Sequence, residues 1–347
     1  AGYEELNEFD AIILTGASEP FTEKEKFRLD QYVMQGGKML WLINPVLASL
    51  DSLRPPDYQS LALGWMHGLE DLFFRYGFRI NPGLVQDLRA APLPVTTAPQ
   101  GGTSAISLLP WPFFPLLEPA SAHPVVNNLN LVRSEFVSSI DTIELPGIAK
   151  YALLQSSAYS REQSVPVTYG LDIIENPPAE SLFSEGSFTT ALLLEGSFSG
   201  LYASRGIPAG LDLPDNYKPL TQSLPTAMIV VSSPSVLASQ LDASGMPYAL
   251  GYDRFSGQQF GNLDFALNCL LYLTGDAGLM QARMRKLSVR KLDTRRMQPN
   301  IGLLIWVNVG LPLVIVILGG LGFAMVRRRR YSGVFPADKN RNNPMTG

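Results

Sequence analysis

Short apolar runs alternate with amphipathic segments along the first ninety residues. The run FDAIIL predicts a strand that is covered on both faces, and KMLWLINP predicts a second one. Between them, PFTEKEKFRLDQYVMQGG predicts a helix, because Thr22 and Glu25 have capping-box spacing and Gly36 and Gly37 stand at its end. A helix near LEDLFFRYG and a strand near GLVQDL follow. Elements in this order predict a parallel α/β sheet with right-handed crossovers.

A proline-rich stretch follows between Ala90 and Pro124. Its eight prolines are expected to break any regular element. Within it, PWPFFPLL brings three large rings together, those of Trp111, Phe113 and Phe114. Two interpretations stay open: the rings pack onto the domain, or they form an exposed docking surface for a partner.

The strand and helix pattern returns near the end of the body. FVSSIDTIEL, YALLQSS, TTALLLEG and SFSGLYA are β-like, and TAMIVVSS predicts another buried strand. GNLDFALNCLLYLTGD predicts a helix with Asn262 as a candidate cap and Gly275 at its end. We expect this strand and helix to rejoin the first sheet. The predicted divisions are therefore an α/β part at 1–89, a Pro-rich and β-rich insertion at 90–224, a return strand and helix at 225–280, a basic juxtamembrane segment at 281–300, a transmembrane helix at 301–326 and a basic tail at 327–347.

The apolar run near the end of the chain predicts one transmembrane helix. From Ile301 to Val326 no residue is ionisable, and this run exceeds the roughly 20 residues that cross a bilayer core of about 30 Å. Asn308 and Pro312 interrupt it, so a partner helix in the membrane is one expectation, with Trp306, Asn308 and Pro312 as candidate contacts. A single tolerated polar residue is the alternative.

Charge is separated along the chain, although the net charge is only −4. Seven basic residues and one acid lie between Gln281 and Arg296, and four arginines follow Val326. The remaining body is acidic, which argues against nucleic acid as a partner. The upstream basic residues could contact anionic headgroups or a partner subunit, or form a solvated linker. These candidate contacts are Arg283, Arg285, Lys286, Arg290, Lys291, Arg295 and Arg296.

Motifs for catalysis or cofactor binding are missing from the sequence. There is no G-x-G-x-x-G, no P-loop and no G-x-S-x-G. His67 and His123 do not have metal-ligand spacing, and Cys269 lies on the buried face of a predicted helix. We therefore predict no catalytic residue, no cofactor and no metal. A membrane-tethered hydrolase using His67 or an Asp/Glu pair is a rival hypothesis, and a catalytic His67 requires a second polar side chain within hydrogen-bond reach of its ring in a cleft.

Several long blocks resemble the GldG family of gliding-motility ABC transporter accessory proteins of Bacteroidota. They include FTEKEKFRLDQYVMQGGKMLWLINPV, DLFFRYGFRINPGLVQDLRAAPLPV and GYDRFSGQQFGNLDFALNCLLYLTGD, and the resemblance runs from about Asp10 to Tyr331. It implies a flavodoxin-like or glutamine-amidotransferase-like α/β fold without the nucleophile. It also implies an inner-membrane anchor, a periplasmic body and a cytoplasmic basic tail, with a permease and an ATP-binding subunit as partners.

The same resemblance implies that sequence is missing at the start. Members of the family are similar to this chain only in their C-terminal portion and carry an additional membrane span and further α/β sequence. The chain is thus expected to be a fragment or to have a separate chain as its other half, and the first edge of its sheet to be open or filled by another polypeptide. The leading function is a noncatalytic accessory subunit. A periplasmic glycan- or peptide-binding module is the alternative, and it requires exposed Trp111, Phe113 and Phe114.

Overall fold

The protein consists of two units. The computed structural model describes residues 4–97, 105–211, 213–214, 217–275 and 306–331. The first unit lies within Ala1–Lys286 and is the body, and the second lies within Leu287–Gly347.

The α-helices are α1 (Glu23–Met34), α2 (Glu70–Tyr76), α3 (Asp172–Glu175), α4 (Asn262–Thr274) and α5 (Leu311–Tyr331). The strands are β1 (Ile12–Thr15), β2 (Met39–Leu42), β3 (Val46–Leu47), β4 (Gln59–Gly64), β5 (Phe78–Ile80), β6 (Gly83–Asp87), β7 (Ala90–Thr97), β8 (Ala105–Pro119), β9 (Val132–Arg133), β10 (Ile140–Thr142), β11 (Ile148–Gln155), β12 (Ser160–Ser164), β13 (Val167–Gly170), β14 (Thr189–Gly196), β15 (Thr226–Val231), β16 (Tyr252–Asp253) and β17 (Gln258–Gln259).

The body is built on an eight-stranded mixed sheet. Its order is β1, β2, β15, β14, β11, β8 and β7, with β9 also beside β8. Only β1, β2 and β15 are parallel to one another, while β14, β11, β8 and β7 pair antiparallel. The expectation of a parallel sheet is therefore wrong beyond its first three strands. The later strands do not have the long helical crossovers that parallel pairing needs, because α3 is only four residues long.

The strand predicted from GLVQDL also lies elsewhere than expected. It forms β6, which pairs antiparallel with β12 in a separate two-stranded sheet. The TAMIVVSS strand does rejoin the first strands, since β15 is parallel to β2. Four strands of the predicted insertion, β14, β11, β8 and β7, continue the sheet from β15. SFSGLYA is not a strand and ends in a 3₁₀ turn at Leu201–Ala203.

The proline-rich stretch forms two long neighbouring strands, β7 and β8, so the expected break in regular structure is wrong. Pro92 lies opposite Pro110, and neither residue has an N–H to donate. A facing pair of this kind fits a position of the antiparallel ladder that makes no hydrogen bonds. β7 is also an edge strand, where proline is tolerated.

Both faces of β2 and β15 are covered by apolar side chains, as the sequence predicts, whereas β1, also expected to be covered on both faces, exposes Ile13 and Thr15. In β2, Met39 and Trp41 belong to one core cluster with residues of α1 and α2, whereas Leu40 and Leu42 belong to another with residues of α4. In β15 the same alternation places Met228 and Val230 in the first cluster and Ile229 and Val231 in the second. The carboxyl ends of these strands are thus held between two packed layers.

The predicted helix ends are largely confirmed. Thr22 and Glu25 form the capping box of α1, and Gly275 ends α4 in the left-handed conformation. Asn262 is not a cap, since Gly261 occupies that position. The Asn262 side chain instead donates to the carbonyl oxygens of Arg133 and Val236 and accepts from the Arg133 N–H.

Among the described residues of the second unit, one helix, at Leu311–Arg330, is long and apolar enough to cross a membrane. A π-helical turn at Trp306–Gly310 precedes it. The predicted span begins at 301, and residues 301–305 lie outside the described part of the chain. Pro312 is the second residue of α5, so it lies where the backbone changes from π-helical to α-helical hydrogen bonding.

Candidate functional site

A cleft of about 570 Å³ opens at the carboxyl ends of the three parallel strands. Gly16 follows β1, and Asn44 and Ser233 lie just beyond β2 and β15; all three residues line the cleft. Ligands of open α/β sheets bind outside the carboxyl ends of the strands. This position and this volume therefore make the cleft the candidate site.

His67 lies in the wall of the cleft and is 4% exposed. Its Nε2 is 2.8 Å from the carbonyl oxygen of Asn44, so Nε2 carries the proton and donates. In the neutral ring, Nδ1 is then an acceptor, and it has no partner among the described residues. The main-chain N–H of His67 donates to the Glu70 carboxylate at 2.7 Å, which fixes the loop before α2.

Arg133 forms a second part of the wall and is 7% exposed. Its Nη1 donates to Glu135 at 2.7 Å, and its guanidinium group lies 5.1 Å from the centre of the Phe114 ring. Its Nε is 3.7 Å from Asp253, which is close enough for an ion pair but too long for a hydrogen bond. The buried positive charge is thus compensated by two carboxylates, while the Nε–H is left unpaired.

Trp65 carries the third unpaired nitrogen of the cleft wall. Its main-chain N–H donates to the Pro45 carbonyl at 2.7 Å, which ties it to the loop after β2. Its indole Nε1–H is buried without a partner among the described residues. Buried donors and acceptors are nearly always paired in folded proteins, so three unpaired nitrogens around one cleft are unusual.

Hydrogen bonds hold the loops of the cleft in place. The Asn44 side-chain oxygen accepts from the Val46 N–H and from the Ser138 hydroxyl. The Ser233 hydroxyl donates to the Glu135 carbonyl at 2.8 Å, and the Ser235 hydroxyl accepts from the Glu135 N–H at 2.8 Å. Apart from the bond between Asn44 and Val46, these bonds join segments that are far apart in sequence, so the wall is organised by the fold.

The chain between β15 and α4 closes one side of the cleft. Gln240 donates to Asp253 at 3.3 Å, and Arg254 donates to the Leu241 carbonyl at 2.8 Å. At the exposed rim, hydrogen bonds from the Ser244 hydroxyl and from nearby main-chain N–H groups lower the pKa of Asp242. This carboxylate is therefore ionised at neutral pH.

The geometry does not meet the requirement of the hydrolase hypothesis. The His67 ring bonds to a main-chain carbonyl, and no described side chain makes a hydrogen bond to it. His123 and Cys269 do not line the cleft; His123 forms a turn with Val126, and Cys269 is fully buried in the core. Burial raises the pKa of the Cys269 thiol, which disfavours the reactive thiolate. No group of three or more His, Cys, Asp or Glu in the described residues could hold a metal.

The three aromatic residues proposed as docking contacts are buried, which contradicts the interpretation that they form an exposed docking surface. Trp111, Phe113 and Phe114 are 0%, 1% and 0% exposed. They pack with Phe136 and Tyr169 in a third core cluster, and Trp111 donates to the Gly170 carbonyl at 3.0 Å. The interpretation that the rings pack onto the domain is confirmed. A glycan- or peptide-binding module that depends on these three rings is ruled out.

The predicted membrane contacts lie in or near the second unit. Trp306 is 74% exposed, and Asn308 and Pro312 lie in the π turn and at the start of α5. The seven basic candidates lie outside the described residues, and they are Arg283, Arg285, Lys286, Arg290, Lys291, Arg295 and Arg296.

Sequence reasoning missed most residues of the cleft. Asn44 and Ser233 stand at the ends of predicted strands, which is a signal that could have identified them. Trp65 and Arg133 have no such signal, because no motif or strand end in the neighbouring sequence marks either residue as part of a site. They reach the same cleft only through the pairing of distant strands.

A family model described as an ABC-type uncharacterized transport system matches residues 2–269, which include all strands of the body and the first part of α4. No curated protein matches. The solved mmIFT52 N-terminal domain is similar over 78% of this chain and 80% of that chain, with 12% sequence identity and a TM-score of 0.37.

Proposed function

Because the chain belongs to the family of auxiliary proteins of ABC-type uncharacterized transport systems, we propose that it is a noncatalytic, membrane-anchored subunit that contacts a permease. The family match carries this proposal, since it covers most of the chain and assigns an accessory role in an ABC transport system. The permease contact and the absence of catalysis go beyond the family description.

The helix of the second unit supports the membrane anchor. Apolar side chains are exposed all around α5, including Ile315, Val316, Leu318 and Phe323, which are 61–71% exposed. A helix that is apolar on every side is stable in lipid or inside a large protein core. Its length and composition fit the bilayer. Trp306, Asn308 and Pro312 are proposed to contact a helix of the permease.

The cleft supports the noncatalytic part of the proposal. His67 bonds to a main-chain carbonyl, and the pair of base and nucleophile that a hydrolase needs is not formed by the described residues. We therefore expect the body to act by binding and positioning. ATP hydrolysis would belong to a separate ATP-binding subunit.

The resemblance to GldG supports the more specific parts of the proposal. These are a periplasmic body, a single span in the inner membrane, a cytoplasmic basic tail, and a transport system linked to gliding motility and protein secretion. The first strand of the sheet adds a further partner. A separate chain, or an N-terminal half, would pair with the outer edge of β1.

The first test is purification of the tagged chain from its native membrane in a mild detergent, followed by identification of the proteins that co-elute. A permease and an ATP-binding subunit in fixed ratio are expected. A matched control carries an unrelated single membrane span in place of residues 306–331 and should lose the permease. Recovery of the chain alone, under conditions in which an independently tagged permease still holds its ATP-binding subunit, would contradict the proposal.

A further inference from the structure

We propose that the cleft at the carboxyl ends of β1, β2 and β15 binds a small uncharged molecule through hydroxyl or amide groups. The polar nitrogens of Trp65, His67 and Arg133 would hold it. This site is separate from the permease contact proposed above, and it differs from the buried aromatic cluster of Trp111.

The three unpaired nitrogens define the kind of group that fits. Trp65 Nε1 and Arg133 Nε are N–H donors, whereas His67 Nδ1 is an acceptor because Nε2 donates to Asn44. A ligand that satisfies all three must both accept and donate hydrogen bonds. Hydroxyl and amide groups do both, so they match this set.

The cost of leaving these atoms unpaired supports a bound molecule. An unsatisfied buried donor or acceptor costs about 1–3 kcal/mol. His67 and Arg133 are both more than nine-tenths buried, and both line the cleft. A ligand that pairs with them would remove this cost, so binding is favoured beyond the contact area alone.

The charges of the cleft favour an uncharged ligand. Arg133 is already compensated by Glu135 at 2.7 Å and by Asp253 at 3.7 Å. Arg254 lies in the same wall as the ionised Asp242. The wall therefore has no excess of positive charge to attract phosphate or carboxylate, and the described residues have no acidic cluster that could hold a cation.

Shape and rigidity fit a small molecule. A volume of about 570 Å³ lies in the range of small-molecule sites, roughly 300–1,000 Å³. Phe136 and Phe255 provide apolar surface beside the polar groups. The hydrogen bonds from Ser233 and Ser235 to the main chain of Glu135 hold one wall in place before binding.

Neighbouring side chains cover the three nitrogens in this structure, since each exposes less than 1 Å². A ligand therefore reaches them when the side chains of Trp65, His67 and Arg133 rotate, while the main chain of Glu135 stays in place. Trp65 would then change its surroundings on binding, and its fluorescence would report the event.

The test uses the purified full chain in detergent and three neutral probes: N-acetylglucosamine, glucose and an N-acetylated dipeptide amide. Citrate and phosphate serve as anionic probes. Calorimetry and intrinsic fluorescence are expected to show saturable binding of at least one neutral probe and none of either anion. A response to the sugars alone or to the peptide amide alone identifies the source of the group. Binding of an anion but no neutral probe, or of no probe, overturns the proposal.

Three variants locate the binding. Leu241 lines the cleft and is 52% exposed, so Leu241→Arg should block entry without disturbing the core. Leu182 is 50% exposed and does not line the cleft, so Leu182→Arg is the matched control. Affinity should fall at least tenfold in Leu241→Arg and stay unchanged in Leu182→Arg. Trp65→Phe, which removes the indole N–H, should also weaken calorimetric binding. Equal affinity in all three variants would place binding elsewhere and contradict the proposal.

Discussion

Trp111 is the centre of the most aromatic part of the body. Its ring lies 5.3 Å from that of Phe113, 4.8 Å from that of Phe114 and 5.5 Å from that of Phe136. The same ring donates its N–H to the Gly170 carbonyl in β13. One side chain therefore joins the proline-rich strand β8 to two other segments of the body.

Replacing this ring should strongly destabilise the body. Trp111→Ala is expected to lower the free energy of unfolding by about 3–5 kcal/mol, because it leaves a cavity and an unpaired carbonyl. Urea denaturation followed by circular dichroism measures the change. Ile106→Ala, at a side chain that is 75% exposed, is the control and should change stability little. Equal effects of the two variants would mean that the aromatic cluster does not stabilise the fold.

Asp30 makes a pH-dependent contribution to the stability of the body, and the direction of its pKa shift gives the sign of that dependence. Burial raises the pKa of Asp30 despite hydrogen bonds from the Leu201 N–H and the Tyr76 hydroxyl. The folded state therefore holds this proton to higher pH than the unfolded chain, and the contribution of Asp30 to stability falls as pH rises from about 3.8 through the folded pKa. The stability advantage of the native chain over Asp30→Asn should shrink over this range.

Glu25 provides a control of opposite sign for the same measurement. Hydrogen bonds from the Thr22 N–H and hydroxyl lower the pKa of Glu25 below its ordinary value of 4.5. Its contribution is present above that pH and is lost as pH falls through the folded pKa. The advantage of the native chain over Glu25→Gln should therefore grow as pH rises. If the stability advantage of the native chain changed with pH in the same direction for Asp30→Asn and Glu25→Gln, the assigned directions of the two pKa shifts would be wrong.

Residue-level prediction from the sequence succeeded where the signal is local. The Thr22 and Glu25 pair and Gly275 act on residues within one helical turn, so their spacing was sufficient. It failed for Trp65 and Arg133, because their unpaired nitrogens are a property of the assembled cleft. Asn262 was misassigned, since its partners, Arg133 and Val236, are distant in sequence.

At the scale of elements, α1 has the best-defined start. The Thr22 hydroxyl accepts from the Glu25 N–H at 3.3 Å, and the Glu25 carboxylate accepts from the Thr22 N–H at 2.9 Å. Two N–H groups at the start of the helix are thereby paired. The helix places Phe27, Val33 and Met34 in the core beneath β2.

Loss of this cap should have a moderate cost. Thr22→Ala is expected to lower the free energy of unfolding by about 1 kcal/mol. Ser204→Ala removes another exposed hydroxyl, for which the structure shows no capping bond, and is the matched control. Urea denaturation of the two variants at neutral pH makes the comparison. A change below that of Ser204→Ala would show that the capping box contributes nothing.

The strands were harder to predict than the helices for physical reasons. β14 is buried at five consecutive positions, like a strand of a parallel sheet, although both of its neighbours are antiparallel. Burial on two faces gives the same apolar run in both cases, so the sequence could not decide the direction of pairing. In β7 and β8 the prolines concealed strands because their missing N–H groups fall where the ladder does not need them.

At the scale of the whole molecule, the sequence predicted two parts of different chemistry. The acidic body and the apolar helix near the end of the chain are both present as separate units. The mixed order of the sheet and the position of the cleft could not be predicted, because both depend on which distant strands pair. The orientation in a membrane stays a prediction that the charges on both sides of the span leave open.

Cysteine labelling can determine that orientation. Cys269 is fully buried and burial raises the pKa of its thiol, so it should not react in the folded body. In spheroplasts, a membrane-impermeant maleimide is expected to label Ser204→Cys, in the body, but not Ser332→Cys, after α5. Lysed membranes should label both. The reverse pattern in spheroplasts would place the body in the cytoplasm.

β1 forms one border of the sheet, and no strand in the described part of the chain pairs with its outer side. The N–H groups of Ile12 and Gly16 bond toward β2, so the main-chain groups of Ile13 and Thr15 face outward. Ile13 is also 44% exposed. Because such an edge can serve as a template for another strand, the width of the sheet is not limited by this chain. Concentrated solutions of the isolated protein should therefore tend to self-associate, and a natural neighbour on β1 would act as a solubility factor as well as a partner.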